Sequence, residues 1–414
     1  MTQWTPDWKL IINGLDYTSK AIASISHNAG RRDIYQQSTA SYLQVEIINL
    51  NDMPYVFNIN DSLTLEVKDS SGNYVVIFGG SITDVNSQIR TSGSVTNVIT
   101  YTLIALGSLS KLTKSITNGV LAKKFDGDQI WDILSALLYD TWAEVPAATQ
   151  WTTFNPTQDW TDAFNSGLGE IDRPGDYELT ARSSDSINVY SLVTQLATSG
   201  LGYVYEDAEG RICYADSTHR SQYLTTNGYV DLSGNEAIAP GMTSLVRTSD
   251  VRNDVTITYK NNQSVNVVDA TSQSLYGVQG SVISTSLETG TDATSQANFY
   301  LAIRAYPGQN LSSITYALQN PELSDSDRDA LLNVFMGMPL NIEGLPTAIV
   351  TGGRYQGFVE GWSFRTTYNG LYLTLYLSPT SYSLQAYRWN SVANTETWNT
   401  LSTTMDWNTA TIVA

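Results

Sequence analysis

Leucine occupies every second position from Leu371 to Leu377, with Tyr, Thr and Tyr between. A repeat of two residues predicts a β-strand with one buried face, because successive side chains of a strand point to opposite sides of the sheet. Asn369-Gly370 precedes this strand and suits a tight hairpin turn. Tyr355–Pro379 is therefore predicted to form a long antiparallel hairpin, whose first strand alternates so that one face carries Phe358, Glu360, Trp362 and Phe364.

The face opposite the leucines carries Tyr372, Thr374 and Tyr376. Tyrosine and threonine on a strand suit a surface that is half wet or covered by another chain. Tyr372 and Tyr376 are therefore candidate interface residues, expected at a contact with another subunit or domain.

The chain has 414 residues, which predicts about two to four domains. Its 22 Lys and Arg against 40 Asp and Glu give a net charge of -18. Stable binding of nucleic acid needs clustered positive charge, so it is not expected, although DNA could pass the protein without binding to it.

Cysteine and histidine are too rare for a disulfide framework or a zinc site, since the chain has only Cys213, His27 and His219. No cofactor is expected, and Cys213 is predicted to be a structural thiol in a strand. The N-terminus lacks the features of a signal peptide, and no run of about 18 apolar residues predicts a membrane helix. The expectation is a soluble protein made in a cytoplasm.

The order of elements predicts a mainly β chain with an α+β insertion. Residues 1–112 read as short strands at the spacing of a small barrel or sandwich. Residues 113–240 form the insertion, with helices starting near Asp128 and near Asp185 or Ser186, the second ending at a left-handed Gly200. Strands resume over residues 241–385, with helices starting at Asp292 or Thr294 and at Ser324, and residues 386–414 form a C-terminal arm.

The acidic run Glu170, Asp172, Asp176 and Glu178 is the sharpest enzymatic candidate, because glycosidases use paired carboxylates. A solvated loop is the favoured interpretation. His27 and His219 have no partner visible in the sequence, and no nucleophile elbow or zinc-protease motif occurs. The chain is therefore expected not to be an enzyme. Helix caps are favoured over calcium sites at two acidic pairs, Asp126-Gly-Asp128 and Asp325-Ser-Asp327.

A Trp-Asn step recurs every nine residues at Trp389, Trp398 and Trp407. The three side chains could pack into a neighbouring domain, dock the arm on an adjacent protein through buried aromatic groups, or stack on sugars. The sequence leaves these alternatives open.

Several strings resemble the hub protein at the tail tip of long-tailed bacteriophages: SINVYSLVTQLATSGLGYVYEDAEGRICYAD, VRNDVTITY, LNVFMGMPLNIEGLP and YQGFVEGWSF. The strings WKLIINGLDYT and SISHNAGRRDIY, and the Trp-Asn repeat, resemble minor tail proteins of phages that infect actinobacteria. The resemblance covers most of the chain but not residues 142–174.

The resemblance implies two related β-barrels per chain and a homotrimer whose six lobes match the sixfold tail above it. It implies a place at the virion tail tip, with a central channel for DNA. The implied partners are the distal tail ring, the C-terminus of the tape-measure protein, and downstream fibre or receptor-binding proteins. A carbohydrate-binding receptor-recognition protein is the alternative, favoured by the Trp-Asn repeat.

Overall fold

The computed structural model describes residues 4–17, 21–49, 55–91, 98–139, 151–153, 169–308, 310–367 and 370–380. The first region contains β1 (Trp8–Ile12), β2 (Leu15–Asp16), β3 (Ala21–Gly30), β4 (Tyr42–Asn49), β5 (Ser62–Lys68), β6 (Tyr74–Thr91) and β7 (Val98–Leu106). The middle region contains α1 (Leu109–Leu112), β8 (Ile116–Thr117), β9 (Lys124–Phe125), α2 (Asp126–Tyr139), β10 (Trp151–Thr153), β11 (Gly169–Ile171), β12 (Glu178–Leu179), β13 (Ile187–Asn188), α3 (Val189–Ser199), β14 (Tyr203–Glu206), β15 (Ile212–Ala215), α4 (His219–Asn227) and β16 (Val230–Ser233).

The third region contains β17 (Thr243–Leu245), β18 (Asp254–Tyr259), β19 (Gln263–Val268), α5 (Ala270–Tyr276), β20 (Gly280–Ser284), α6 (Gly290–Arg304), β21 (Asn310–Ala317), α7 (Asp325–Leu332), β22 (Pro339–Glu343), β23 (Tyr355–Thr367) and β24 (Gly370–Pro379). Its α6 packs on β18 and β19. No helix among the described residues is both long enough and apolar enough to cross a membrane.

One 13-stranded sheet joins the first and third regions, in the order β17-β21-β24-β23-β3-β4-β7-β6-β5-β1-β2, with β22 beside β23 and β16 beside β22. The two regions meet where β23 pairs antiparallel with β3, from Gly361 opposite Gly30 to Arg365 opposite Ser26. Over the described ranges these pairings form an open path and no closed barrel. The mainly β prediction is confirmed, and the two β regions share one sheet.

The predicted hairpin is confirmed as β23 and β24, which pair from Gly357 opposite Pro379 to Thr367 opposite Gly370. The four leucines of β24 are at most 3% exposed. Residues 368–369, which include the first residue of the predicted turn dipeptide, lie outside the described residues. The leucine face therefore forms part of the main core, as its period of two indicates.

The simple alternation predicted for the first strand of the hairpin is wrong, because the register shifts between Val359 and Gly361. Such a shift marks a β-bulge, in which one strand carries an extra residue. The extra residue is Glu360. Val359 and Trp362 therefore both join the main core despite their odd spacing, and the Phe358 ring lies 5.3 Å from the Arg220 guanidinium carbon.

Residues of the middle region form a second hydrophobic core together with β18 and α6 of the third region. Apolar residues of α2, α3, β18 and α6 bury their side chains together there: Ile130, Ile133, Leu134, Val189, Leu192, Val193, Leu196, Val255, Ile257, Ala293 and Ala297. The amphipathic faces predicted for the two helices of the insertion are confirmed where side chains are described.

Some predicted helix ends are wrong. The side chain of Asn188, rather than Asp185 or Ser186, caps α3 by accepting from Ser191 N at 3.1 Å. The positive φ after α3 belongs to Leu201, at 53°, and not to Gly200. Thr289 caps α6, because its hydroxyl accepts from Asp292 N. The predicted Ser324 cap of α7 is confirmed.

The contact between β3 and β23 depends on glycine. A Cβ atom at Gly30 would lie 2.5 Å from the Glu360 carbonyl oxygen, and one at Gly361 would lie 2.5 Å from the Arg31 carbonyl oxygen. Real Cβ atoms do not approach backbone this closely, so the two strands can meet here only because neither position carries a side chain.

We expect Gly30→Ala to destabilise the fold more than Gly14→Ala does. The two glycines have φ values of 76° and 75°, and a Cβ atom at Gly14 meets nothing within 4 Å. Both variants carry the left-handed backbone cost of about 1–2 kcal/mol, and Gly30→Ala adds a steric cost of about 1–3 kcal/mol. Urea unfolding of both variants measures the difference. Equal losses would show that the strand contact tolerates a methyl group.

Candidate functional site

The carboxylate of Glu360 joins the three regions of the chain. Arg31, which follows β3, donates from Nε to Glu360 Oε2 at 2.7 Å. Arg220 of α4 donates from Nη1 to Oε1 at 2.7 Å and from Nη2 to Oε2 at 2.9 Å. The Ser378 hydroxyl of β24 donates to Oε1. One buried side chain therefore binds groups from the first, middle and third regions.

The electrostatics of this cluster favour ionised Glu360. Its side chain is fully buried, and those of Arg31 and Arg220 are 5% and 4% exposed. Burial by itself would raise the pKa of Glu360, but the two guanidinium groups and the hydrogen bonds hold it far below its usual range. A bidentate arginine pair and a second arginine make this a geometrically specific junction.

Tyr203 of β14 packs against both arginines. Its ring centroid lies 4.5 Å from the guanidinium carbon of Arg220 and 5.0 Å from that of Arg31. The Arg220 Nε also donates to the Tyr203 hydroxyl at 3.2 Å. Cation–π contacts of this kind are stronger between buried side chains, and all three side chains are buried.

A cleft of about 410 Å³ opens beside the cluster. Arg31, Tyr203 and Arg220 line it, together with residues from the segment after β3, the middle region, β20 and α6: Tyr35, Gln37, Asp176, Tyr177, Asp216, Ser217, Ile283, Tyr300 and Arg304. The Arg304 guanidinium carbon lies 3.7 Å from the centroid of the Tyr35 ring. The cleft is thus formed only when all three regions are docked.

The prediction of a solvated acidic loop is wrong for Glu170 and Asp172, which are 3% and 5% exposed. Glu170 belongs to β11, an interior strand of the sheet β10-β11-β15-β14, and Asp172 follows this strand directly. Asp176 is exposed and Glu178 is half-buried. Burial separates the four carboxylates into two pairs with different surroundings.

His219 has a partner that the sequence does not reveal. Its Nδ1 lies 2.9 Å from Asp172 Oδ2, which also accepts from Asp216 N at 2.8 Å. Burial lowers the pKa of His219, but Asp172, together with Asp216 and Glu170, more than offsets this and raises the pKa above its usual value. His219 is 2% exposed and His27 is 1% exposed, so both are core histidines.

The predicted helix caps at Asp126 and Asp128 are wrong. Asp126 Oδ1 accepts from Asp176 N at 2.9 Å and from Tyr177 N at 2.8 Å, and the Tyr214 hydroxyl donates to Oδ2. Asp128 pairs with Arg173 at 2.8 Å. Asp325 pairs with Arg328, while Ser324 caps that helix. Within the described ranges, no group of His, Cys, Asp and Glu side chains is arranged to hold a metal.

Glu206 of β14 ties the middle region to the first. Its carboxylate accepts from Ser41 N at 2.7 Å and from Leu109 N. Burial raises the pKa of Glu206 to about 7, although these hydrogen bonds oppose the shift. Burial also raises the pKa of Asp126 and of Glu170 to about 7.

The predicted interface residues Tyr372 and Tyr376 are half-buried within the single chain. The Tyr376 ring centroid lies 5.6 Å from the Arg32 guanidinium carbon. Thr374, between the two tyrosines on β24, shares a 2.8 Å hydrogen bond with Thr315 through the two hydroxyl groups. Their role at a subunit contact stays a prediction.

The other candidates, Trp389, Trp398 and Trp407, lie outside the described residues. Cys213 is buried, 1% exposed, in β15.

The sequence matches no protein-family model and no curated protein. The structure is similar to the crystal structure of a 43 kDa tail protein of prophage MuSo2 from Shewanella oneidensis, with a TM-score of 0.55, 9% identity, and coverage of 91% of this chain and 99% of that one. It is also similar to the tail protein from Neisseria meningitidis MC58, with a TM-score of 0.58, 12% identity, and coverage of 91% and 97%. The chain has the fold of these two tail proteins. The similarity extends over nearly the whole of both tail proteins and 91% of this chain, so it is not confined to one of the three regions.

We expect Glu360→Gln to destabilise the protein by about 3 kcal/mol or more, because it leaves two buried arginines without their carboxylate. Glu343→Gln is the matched control. Glu343 lies on β22 of the same sheet, and its Oε1 lies 3.7 Å from Arg354 Nε, but its side chain is 67% exposed. Loss of such a pair costs about 1 kcal/mol or less. Denaturant unfolding compares the two. Similar small losses would contradict a structural role for the cluster.

Stability is expected to depend on pH through Glu206. A carboxyl whose pKa rises on folding, here to about 7, binds its proton more tightly in the folded state. Its contribution is complete below the unfolded pKa and is lost as pH rises through about 7. Glu206→Gln removes the titrating carboxyl. The difference in the free energy of unfolding between wild type and variant should therefore change by on the order of 1–3 kcal/mol between about pH 5 and 8.

Urea unfolding at several pH values measures this difference. Glu322→Gln, at an exposed position, is the control for a glutamate-to-glutamine change outside the core. A Glu206→Gln curve parallel to that of the wild type would show that Glu206 is already ionised throughout the range.

Proposed function

We propose that this chain is a structural tail protein of a bacteriophage, and that it forms the hub of the tail tip as a homotrimer around a central channel. The observation that carries the proposal is the fold shared with two prophage or bacterial tail proteins over 91% of the chain. The strings quoted from the sequence that resemble tail hubs add a separate argument.

The shared sheet supports an annular assembly. Each chain contributes two β regions that are joined at β3 and β23 and fixed by the Glu360 cluster. Three chains would supply six such regions, which match the sixfold symmetry of a tail. The hub is proposed to adapt this symmetry to a threefold tip, with each β region forming one barrel-like lobe of the ring.

The charge of the chain supports passage of DNA without stable binding. A net charge of -18 repels a polyanion, so a channel through this protein would not retain it. The proposed partners are the distal tail ring and the tape-measure C-terminus above, and fibre or receptor-binding proteins below. The proposed location is the virion tail tip.

The proposed role is non-catalytic. Glycosidase carboxylates flank a substrate, whereas Glu170 and Asp172 are buried, and Asp172 binds His219 and the Asp216 backbone.

A carbohydrate-binding receptor-recognition protein is the second candidate. The nine-residue spacing of Trp389, Trp398 and Trp407 favours it, since exposed aromatic side chains stack on sugars.

The purified chain is expected to form a trimer with three times the 45.5 kDa chain mass and to show threefold symmetry and a central opening by electron microscopy. Light scattering after size-exclusion chromatography gives the mass. The proposed subunit contact places Tyr372 and Tyr376 away from solvent in the assembled tip. A sixfold particle, or a monomer that binds host cell-wall polysaccharide through Trp398, would contradict the hub and favour the second candidate.

A further inference from the structure

The small sheet β19-β18-β20 has one face in the core and one face open. Val255 and Ile257 of β18 are fully buried on the side that α6 covers. The residues that alternate with them point the other way. The sheet is thus held rigidly from one side and available for contact on the other.

Strand register identifies the open face. Thr256 pairs with Asn266 on β19 and with Val282 on β20, and the flanking pairs follow the same register. Paired residues share a face, so the open surface, here named the Thr256 face, consists of Asp254, Thr256, Thr258, Ser264, Asn266, Val268, Gly280, Val282 and Ser284.

Two exposed valines lie on this face, and two further exposed aliphatic side chains lie in the connection between its outer strands. Val268 and Val282 on the face are 50% and 71% exposed, and Leu275 and Val278, in the connection between β19 and β20, are 64% and 67% exposed. Exposed valines on a sheet face with a single charged residue make that face a candidate for contact with another molecule.

The Thr256 face is also nearly free of charge. Asp254 is its one ionisable residue, and the Asn266 amide donates to its carboxylate at 2.6 Å. The chain as a whole carries 40 Asp and Glu against 22 Lys and Arg. Two copies of such a chain repel each other, and this repulsion opposes a contact least where the surface carries few carboxylates.

We propose that the Thr256 face packs against a second copy of this chain in the homotrimer. The proposal rests on the trimeric assembly proposed above. A threefold ring uses heterologous contacts, so the Thr256 face of one copy would meet a different surface of the next, and three identical contacts would close the ring. The lack of charge on the Thr256 face favours a second copy over a basic partner protein. A basic partner would instead favour acidic surface, such as the open cavity lined by Asp231, Asp327 and Glu343.

The test is Val282→Asp in the full chain, with mass measured by light scattering over a concentration series. A carboxylate placed in the centre of the contact should raise the concentration of half-dissociation at least about tenfold. Because Val282 is exposed, the fold should survive, and circular dichroism with thermal unfolding checks this. Val268→Asp should have the same effect as Val282→Asp.

Val120→Asp is the matched control, since Val120 is 67% exposed and lies outside the Thr256 face. Dissociation by both face variants but not by Val120→Asp would support the proposal. A wild-type trimer that all three variants leave intact, or that all three dissociate equally, would overturn the proposal while the hub survives. A monomeric wild type would overturn both proposals.

Discussion

The interaction on which the architecture depends is the buried carboxylate of Glu360 between two arginines. Removing three charged groups from water is costly, and their mutual attraction offsets this only when the geometry is complete. Arg31, Arg220 and Glu360 come from the first, middle and third regions. A partly docked chain would leave buried charge without its partner. The cluster therefore makes docking of the three regions a cooperative event.

The backbone brings the carboxylate to this place by a local irregularity. In a regular β23, alternation would assign Glu360 to one face of the sheet. The bulge between Val359 and Gly361 instead leaves Glu360 without a paired residue on β24. Gly361 and Gly30 then let the two strands approach without a Cβ contact. The ion cluster, the bulge and the glycine pair are therefore one structural feature, and it lies where the two β regions join.

The sequence predicts the elements whose cause is local. The leucine period gives β24, the apolar stripe gives α2, and Ser324 caps α7 as expected. It does not reveal the junction, because Arg31 and Glu360 are 329 residues apart and Asp172 and His219 are 47 apart. No periodicity encodes such pairs. The acidic run also misleads, since strand β11 is too short to show by alternation that Glu170 is buried.

The raised pKa values of Asp126, Glu170 and Glu206, each about 7, alter the charge that the folded protein carries. The formal value of -18 counts every carboxyl as ionised. Near neutral pH each of these three groups therefore binds a proton more tightly in the folded chain than in the unfolded chain. Folding thus takes up protons from solution near neutral pH, and the folded chain carries less negative charge than its composition implies.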